Sequence, residues 1–139
     1  EYPKPEEKIN AQKRSDYIHE LLKEGRATVE ELRIKDVGRD CIKNELRSCC
    51  ERQNRDYAVI NGMDIPENLI HVISVADAKE SVLASDGYPV LKRTLAESER
   101  ELERIINNDP LCINLYKATK GVMQGYKSFD DRTYIRIEI

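Results

Sequence analysis

Apolar positions in the first fifty residues recur with helical spacing. Between Glu7 and Glu24, Ile9, Tyr17, Ile18, Leu21 and Leu22 follow a period near 3.6, and Gly25 suits a C-cap. Thr28-Val29-Glu30-Glu31 has the form of a capping box, which predicts a short helix to about Lys35. Asp36-Val37-Gly38 reads as a turn. Arg39 to Gln53 reads as a further helix with Ile42, Leu46, Cys49 and Cys50 toward one side. The pattern then changes to β-type runs. Tyr57-Ala58-Val59-Ile60 stops at Asn61-Gly62, and Leu69-Ile70-His71-Val72-Ile73-Ser74-Val75 is the clearest strand signal in the chain. The two runs are expected to pair as a hairpin across residues 61–68.

The second half predicts a short helix over 76–84, closed by Ser85-Asp86-Gly87, and a long one over 89–108 that starts with Pro89 in its first turn. Pro110 opens another helix to about Lys120. Residues 122–129 and 132–139 read as two strands around Asp130-Asp131, the last alternating apolar and charged side chains from Tyr134 to Ile139. The fold class implied is α+β, as an N-terminal unit over 1–75 and a helical and β-hairpin unit over 76–139. No linker rich in Gly, Ser or Pro divides them, so a compact whole is favoured. Leu91, Leu95, Ser98, Leu102 and Ile105, at spacings of four and three, form a coiled-coil-like seam. That seam fits either a homodimer through residues 89–108 or one amphipathic helix packed on the strands behind it.

Helix, short helix, turn, helix and hairpin follow one another in the order of a winged helix-turn-helix. Arg14 to Gly25 resembles the first helix of many bacterial winged-helix regulators, Thr28 to Leu32 their second, and Val37 to Leu46 the turn and recognition helix. The resemblance covers roughly residues 8–75. It implies that the third helix enters the major groove while the hairpin touches the DNA backbone or minor groove. Arg39, Lys43, Asn44 and Arg47 then become the expected DNA-contacting residues. Arg and Lys pair with phosphates or guanine edges, and Asn with adenine. Some features depart from the family pattern. The step from Leu32 to Val37 is short, and Gly38 stands where a small hydroxyl residue often caps the third helix. Asp40 and Glu45 lie on or beside the reading helix, and the wing region 56–75 carries no Lys or Arg. A wing without cations is a poor phosphate clamp. The same scaffold also serves as a protein-docking module, which is the second expectation for this chain.

Charge does not choose between these. The 139 residues carry a net −3; the first sixty hold 13 basic and 13 acidic side chains, so any nucleic-acid contact must come from a local patch rather than from the overall field. A second patch places Tyr116, Tyr126, Phe129 and Tyr134 among Lys117, Lys120, Lys127, Arg132 and Arg136. Such interleaving suits single-stranded nucleic acid, or it simply covers a small sheet. The cysteines, Cys41, Cys49, Cys50 and Cys112, have neither zinc-site spacing nor an obvious disulfide pattern. No glycine-rich phosphate loop or nucleophile elbow occurs, and the two histidines, His19 and His71, sit in ordinary helix and strand contexts. No enzymatic activity, cofactor or metal is therefore expected. There is no apolar run near the roughly 18 residues of a membrane span and no signal-peptide core at the start, which together predict a cytoplasmic protein with reduced thiols. A start without Met reads as trimmed or as part of something longer.

Overall fold

The computed structural model describes residues 5–128 and 130–139. Residues 1–4 and Phe129 of the aromatic cluster lie outside the described residues. Five α-helices, one 3-10 turn and two short strands are assigned among them. In chain order these are α1 (Pro5–Lys23), α2 (Val29–Ile34), α3 (Val37–Cys41), α4 (Lys43–Glu51), the 3-10 turn Glu67–Leu69, β1 (Glu80–Ala84), α5 (Leu95–Asn108) and β2 (Tyr134–Glu138). The molecule is of mixed helix and small antiparallel sheet, in keeping with α+β.

The helical half follows its local signals closely. α1 ends in a Schellman arrangement: Gly25 sits at φ +65, its N–H reaches the Leu22 carbonyl at 3.2 Å, and the Arg26 N–H reaches that of Leu21 at 2.9 Å. Thr28 and Glu31 form the reciprocal capping box that starts α2. The stretch 36–38 is not a free turn. Asp36 accepts the Arg39 N–H at 2.9 Å and caps a helix that begins at Val37. That helix breaks at Ile42 (φ −110, ψ 13), so the expected continuous run Arg39–Gln53 is two helices, α3 and α4. The break coincides with complete burial of the Ile42 side chain.

Ile18, Leu21, Leu32, Leu111 and Ile113 make the main apolar cluster, flanked by half-buried Tyr17, Leu22, Ala27, Val29 and Val37. Leu111 and Ile113 come from far along the chain, and polar bonds bring them there. The Arg14 side chain is wholly buried. Its Nη2 donates to Asp36 Oδ2 at 2.8 Å, and its Nη1 donates to the Ala118 carbonyl at 3.0 Å and the Cys112 carbonyl at 3.4 Å. Asp36 Oδ2 also accepts the Gly121 N–H at 3.1 Å, while Ser15 Oγ donates to the Ile113 carbonyl at 2.8 Å. Charge-assisted bonds of this kind satisfy a cation that could not otherwise leave water. Gly38 is the close approach that permits it: a Cβ there would stand 2.5 Å from Ile18 Cδ1 and 3.0 Å from Arg14 Cγ. Residues 109–122 are thus fastened onto α1, α2 and α3.

Several expectations fail, each where a tertiary bond overrides local propensity. The expected helix 110–120 does not form. Asp109, buried after α5, instead accepts the amides of Ile113, Asn114 and Leu115 at 3.0, 2.7 and 2.8 Å, gathering them into a tight loop in which Cys112 adopts φ 52. The expected strand 122–129 is irregular over its described residues. Gln124 N–H donates to the Arg33 carbonyl at 2.8 Å, and Arg33 Nε to that of Val122 at 3.2 Å, so this stretch docks along α2. The expected helix 76–84 contains a strand instead. β1 pairs antiparallel with β2, with Ser81 opposite Ile137 and Leu83 opposite Ile135. The C-terminal hairpin 122–139 is therefore replaced by a long-range ribbon. The long helix starts at Leu95 rather than at Pro89, because Thr94 and Glu97 form a second capping box and Lys92 N–H is taken by Ser98 Oγ. Ser98, Leu102 and Ile105 of its seam are buried within the chain. Leu91 and Leu95, the first two positions of the seam expected to serve a homodimer through 89–108, are exposed.

The expected wing is also absent among the described residues. Neither 57–60 nor 69–75 is a strand. Asn54, at φ 55, turns the chain after α4, its N–H bonded to the Tyr57 carbonyl at 2.8 Å. Its side chain takes the Val59 N–H at 2.7 Å, a donor a ladder would have used. Pro66 then has no N–H to give. Of the expected order of helices and hairpin, the described residues therefore carry the helices alone.

Candidate nucleic-acid interface

The residues expected to touch DNA are placed by α3 and α4. Arg39 lies in α3, and Lys43, Asn44 and Arg47 lie in α4; all four are exposed. Their spacing explains why. Ile42 is buried and Leu46 and Cys49 are half-buried on the inner side. Lys43 and Arg47, four apart on α4, form one outward row with Asn44 beside it. The break at Ile42 falls between Arg39 and Lys43, so the first cation stands on a separate helical segment from the other two.

Neither Lys43 nor Arg47 is held in an ion pair among the described residues. Arg39 is partly committed, its Nη1 donating to the Thr119 carbonyl at 3.2 Å. That bond places the row beside the loop that carries Lys117 and Lys120. Of the acids expected to oppose phosphate, Glu45 is paired with Lys13 of α1, and the bond to that ammonium holds its carboxyl below the usual carboxylate range. Asp40 stays exposed next to Arg39.

The second basic patch is largely spent on internal bonds. Lys117 Nζ donates to Gln12 Oε1 at 2.7 Å, Lys120 pairs with Asp130, and Arg136 pairs with Glu80 across the ribbon. The Lys120 bond, the largest influence on Asp130, lowers that carboxyl's pKa, and Arg39 adds to the effect. Arg132 pairs with Glu99 at 2.8 Å and lies 5.8 Å over the Tyr88 ring. Tyr134 packs edge-on against that same ring, centroids 6.1 Å apart. Tyr126 remains exposed. This region reads as cover for a small sheet rather than as a row of free stacking surfaces.

No family model, no curated protein and no solved structure matches this chain.

Among the described residues, no three His, Cys, Asp or Glu side chains converge on a point that could hold a metal ion, and no helix is long and apolar enough to cross a membrane. Cys112 is fully buried, and its thiol is pushed up to about 12, by burial first and by the nearby Asp109 carboxylate second. At neutral pH it is an inert thiol, not a nucleophile. Sequence reasoning did not find Lys13 as the neutraliser of Glu45. The two are 32 residues apart, and only the packing of α1 against α4 joins them.

Proposed function

We propose that this chain is a non-catalytic DNA-binding protein, a regulator of transcription or replication that acts by occupying a site through Arg39, Lys43, Asn44 and Arg47. The observation that carries this reading is the outward row of Lys43 and Arg47 beside an exposed Asn44, with exposed Arg39 on the preceding helix, on a helical pair joined at buried Ile42. Cations in such a row neutralise phosphates and release counterions, and an adjacent amide can read an adenine edge. The reading needs no cofactor or metal and works in the cytoplasm. Without a paired wing, contact is confined to the helix row and the neighbouring 117–120 loop.

The test is a titration of mixed duplex DNA fragments at several salt concentrations. Each phosphate contact contributes about −0.9 to the slope of log K against log salt. The Lys43→Ala/Arg47→Ala double variant should therefore flatten the slope by about 1.8. Absence of binding even at low salt sinks the reading.

A second reading, a protein-docking module working on transcription or replication machinery, is favoured by a different observation. Between α4 and β1, Ile60 is 96% exposed and Val72 is 92% exposed, with Met63 and Ile73 also largely in water. Monomeric proteins rarely leave a run of large aliphatic side chains uncovered.

A further inference from the structure

The alternation Ile135-Arg136-Ile137-Glu138-Ile139 lays apolar and charged side chains on opposite faces of the ribbon. Ile135 and Ile137 share one face with Leu83, while Arg136 and Glu138 share the other with Glu80 and Val82. At the two ends of the ladder, the Ser85 N–H donates to the Thr133 carbonyl at 3.0 Å and the Ile139 N–H to the Lys79 carbonyl at 3.1 Å. Antiparallel ladders alternate, so the odd-numbered residues of β2 turn their backbone groups toward β1 and the even-numbered ones turn theirs away. The N–H and C=O groups of Arg136 and Glu138 therefore line the outer edge of β2, where no third strand pairs among the described residues. Every residue of β2 after Tyr134 is exposed, and a ribbon of two strands is marginal alone. Charge along this edge is unbalanced within one chain. The register sets Glu138 directly opposite Glu80, a like-charge pair that costs stability. Arg136 pairs with Glu80, and Glu138 has no ion pair among the described residues.

We propose that β2 is the pairing strand of a weak homodimer. Its outer edge meets that of a second copy antiparallel about a two-fold axis through Ile137, and the two ribbons form one four-stranded sheet. This goes beyond both the DNA contact and docking on other machinery, and rests on neither. Three features select the partner and the register. Only the outward-facing even-numbered residues can share ladder bonds across this edge, so the axis must pass through a residue of the strand itself. An axis at Arg136 or at Glu138 would set that charge against itself. An axis at Ile135 would set Glu138 against Arg132, which precedes the strand and is committed to Glu99. An axis at Ile137 sets Arg136 of each copy against Glu138 of the other, Ile135 against Ile139, and Ile137 against itself in a close non-hydrogen-bonded pair. Each Glu138 thereby gains the cation that its own ribbon lacks, and a guanidinium with several N–H donors serves Glu80 and the second carboxylate together. β1 offers no such match: Glu80–Ala84 holds one acid and no cation. Charges that guard an edge strand against indiscriminate pairing here specify one register. The interface is short, which sets the affinity of a weak dimer.

Sedimentation equilibrium of the intact chain, from micromolar to about millimolar, tests this. The wild type is expected to be a concentration-dependent dimer. Glu138→Arg sets guanidinium against guanidinium across the interface and should weaken association by about tenfold or more. In the single chain the same change places a cation opposite Glu80, so the denaturation midpoint of the diluted protein should hold or rise, which separates lost pairing from lost folding. Ile137→Lys brings two ammonium groups together on the axis and should weaken the dimer to a similar degree. Exchanging the charges, Arg136→Glu with Glu138→Arg, should restore association to within about threefold of the wild type, a rescue that an effect on folding alone does not produce. A wild type that stays monomeric overturns the proposal, as does a dimer indifferent to Glu138→Arg or to Ile137→Lys, or growth into open-ended aggregates. A charge-exchanged chain that folds and does not re-associate overturns it as well, and if that chain does not fold the two single variants decide.

Discussion

Around Arg14 a guanidinium with no exposure lies among a carboxylate and two carbonyls, while along residues 70–75 aliphatic side chains stand in water. The contrast turns on satisfied partners rather than on residue type. Arg14 is buried because α3 offers Asp36, the 109–122 loop offers carbonyls, and Gly38 leaves room. The segment 70–75 has the stronger intrinsic case for order, being β-branched and apolar, yet it forms no strand among the described residues. Strand propensity describes fitness for a pleated, half-covered surface and does not supply one.

The largest expected effect probes the polar side of this contrast. Asp36→Ala leaves the Arg14 charge buried without its counter-ion and should cost about 3–5 kcal/mol in urea denaturation. A cost below about 1 kcal/mol, the level of an exposed pair, would falsify the view that this ion pair holds the loop in place. Gly38→Ala should come next. Its new Cβ meets the fully buried Ile18, and overpacking of that kind costs about 1–3 kcal/mol, read as a lowered midpoint with an unchanged denaturant slope.

Cys112 sharpens the same region through pH. Its thiol titrates at about 12 in the fold against 9.0 when free, so above pH 9.0 the unfolded chain gives up a proton that the native chain keeps. Its contribution to stability is complete below pH 9.0 and is lost as pH rises through about 12. A Cys112→Ala variant should show a shallower alkaline decline than the wild type; parallel curves would exclude the effect. Under native conditions a thiol alkylator should mark exposed Cys50 and spare Cys112 until the protein unfolds. The smallest effect belongs to the exposed segment 70–75. Val72→Ala should shift the stability of the diluted chain by less than about 0.5 kcal/mol. A larger loss would mean that the segment is already covered within the single chain.

The helices of the first half were legible because their signals are local: Gly25 after the apolar period, and Thr28 with Glu31 three residues on. The candidate site was legible in part for the same reason, since Lys43, Asn44 and Arg47 turn away from Ile42 and Cys49 on one helix, whereas Arg39 stands on the preceding segment. The buried polar face of α1 was less so. Continued backwards from Ile18 and Leu21, the inward side passes through Ser15, Arg14, Ala11 and Asn10, where hydropathy alone suggests a solvated surface. The chain beyond α4 misled for a physical reason. Asp109, Asn54 and Arg33 each redirect backbone amides or carbonyls through side-chain bonds whose partners cannot be identified from periodicity.

What the sequence by itself determined is the mixed α+β class, the caps of α1 and α2, the outward placement of Lys43, Asn44 and Arg47, and the final strand. Only the tertiary structure decided that this strand pairs with 80–84, that Ser98, Leu102 and Ile105 of α5 are buried, that Glu45 is neutralised by Lys13, and that the strongest strand signal forms no strand among the described residues. Caps and helix faces arise from bonds and contacts a few residues apart. Sheet partners and buried ion pairs join positions tens of residues apart, and their free energy exists only once the chain has brought them together.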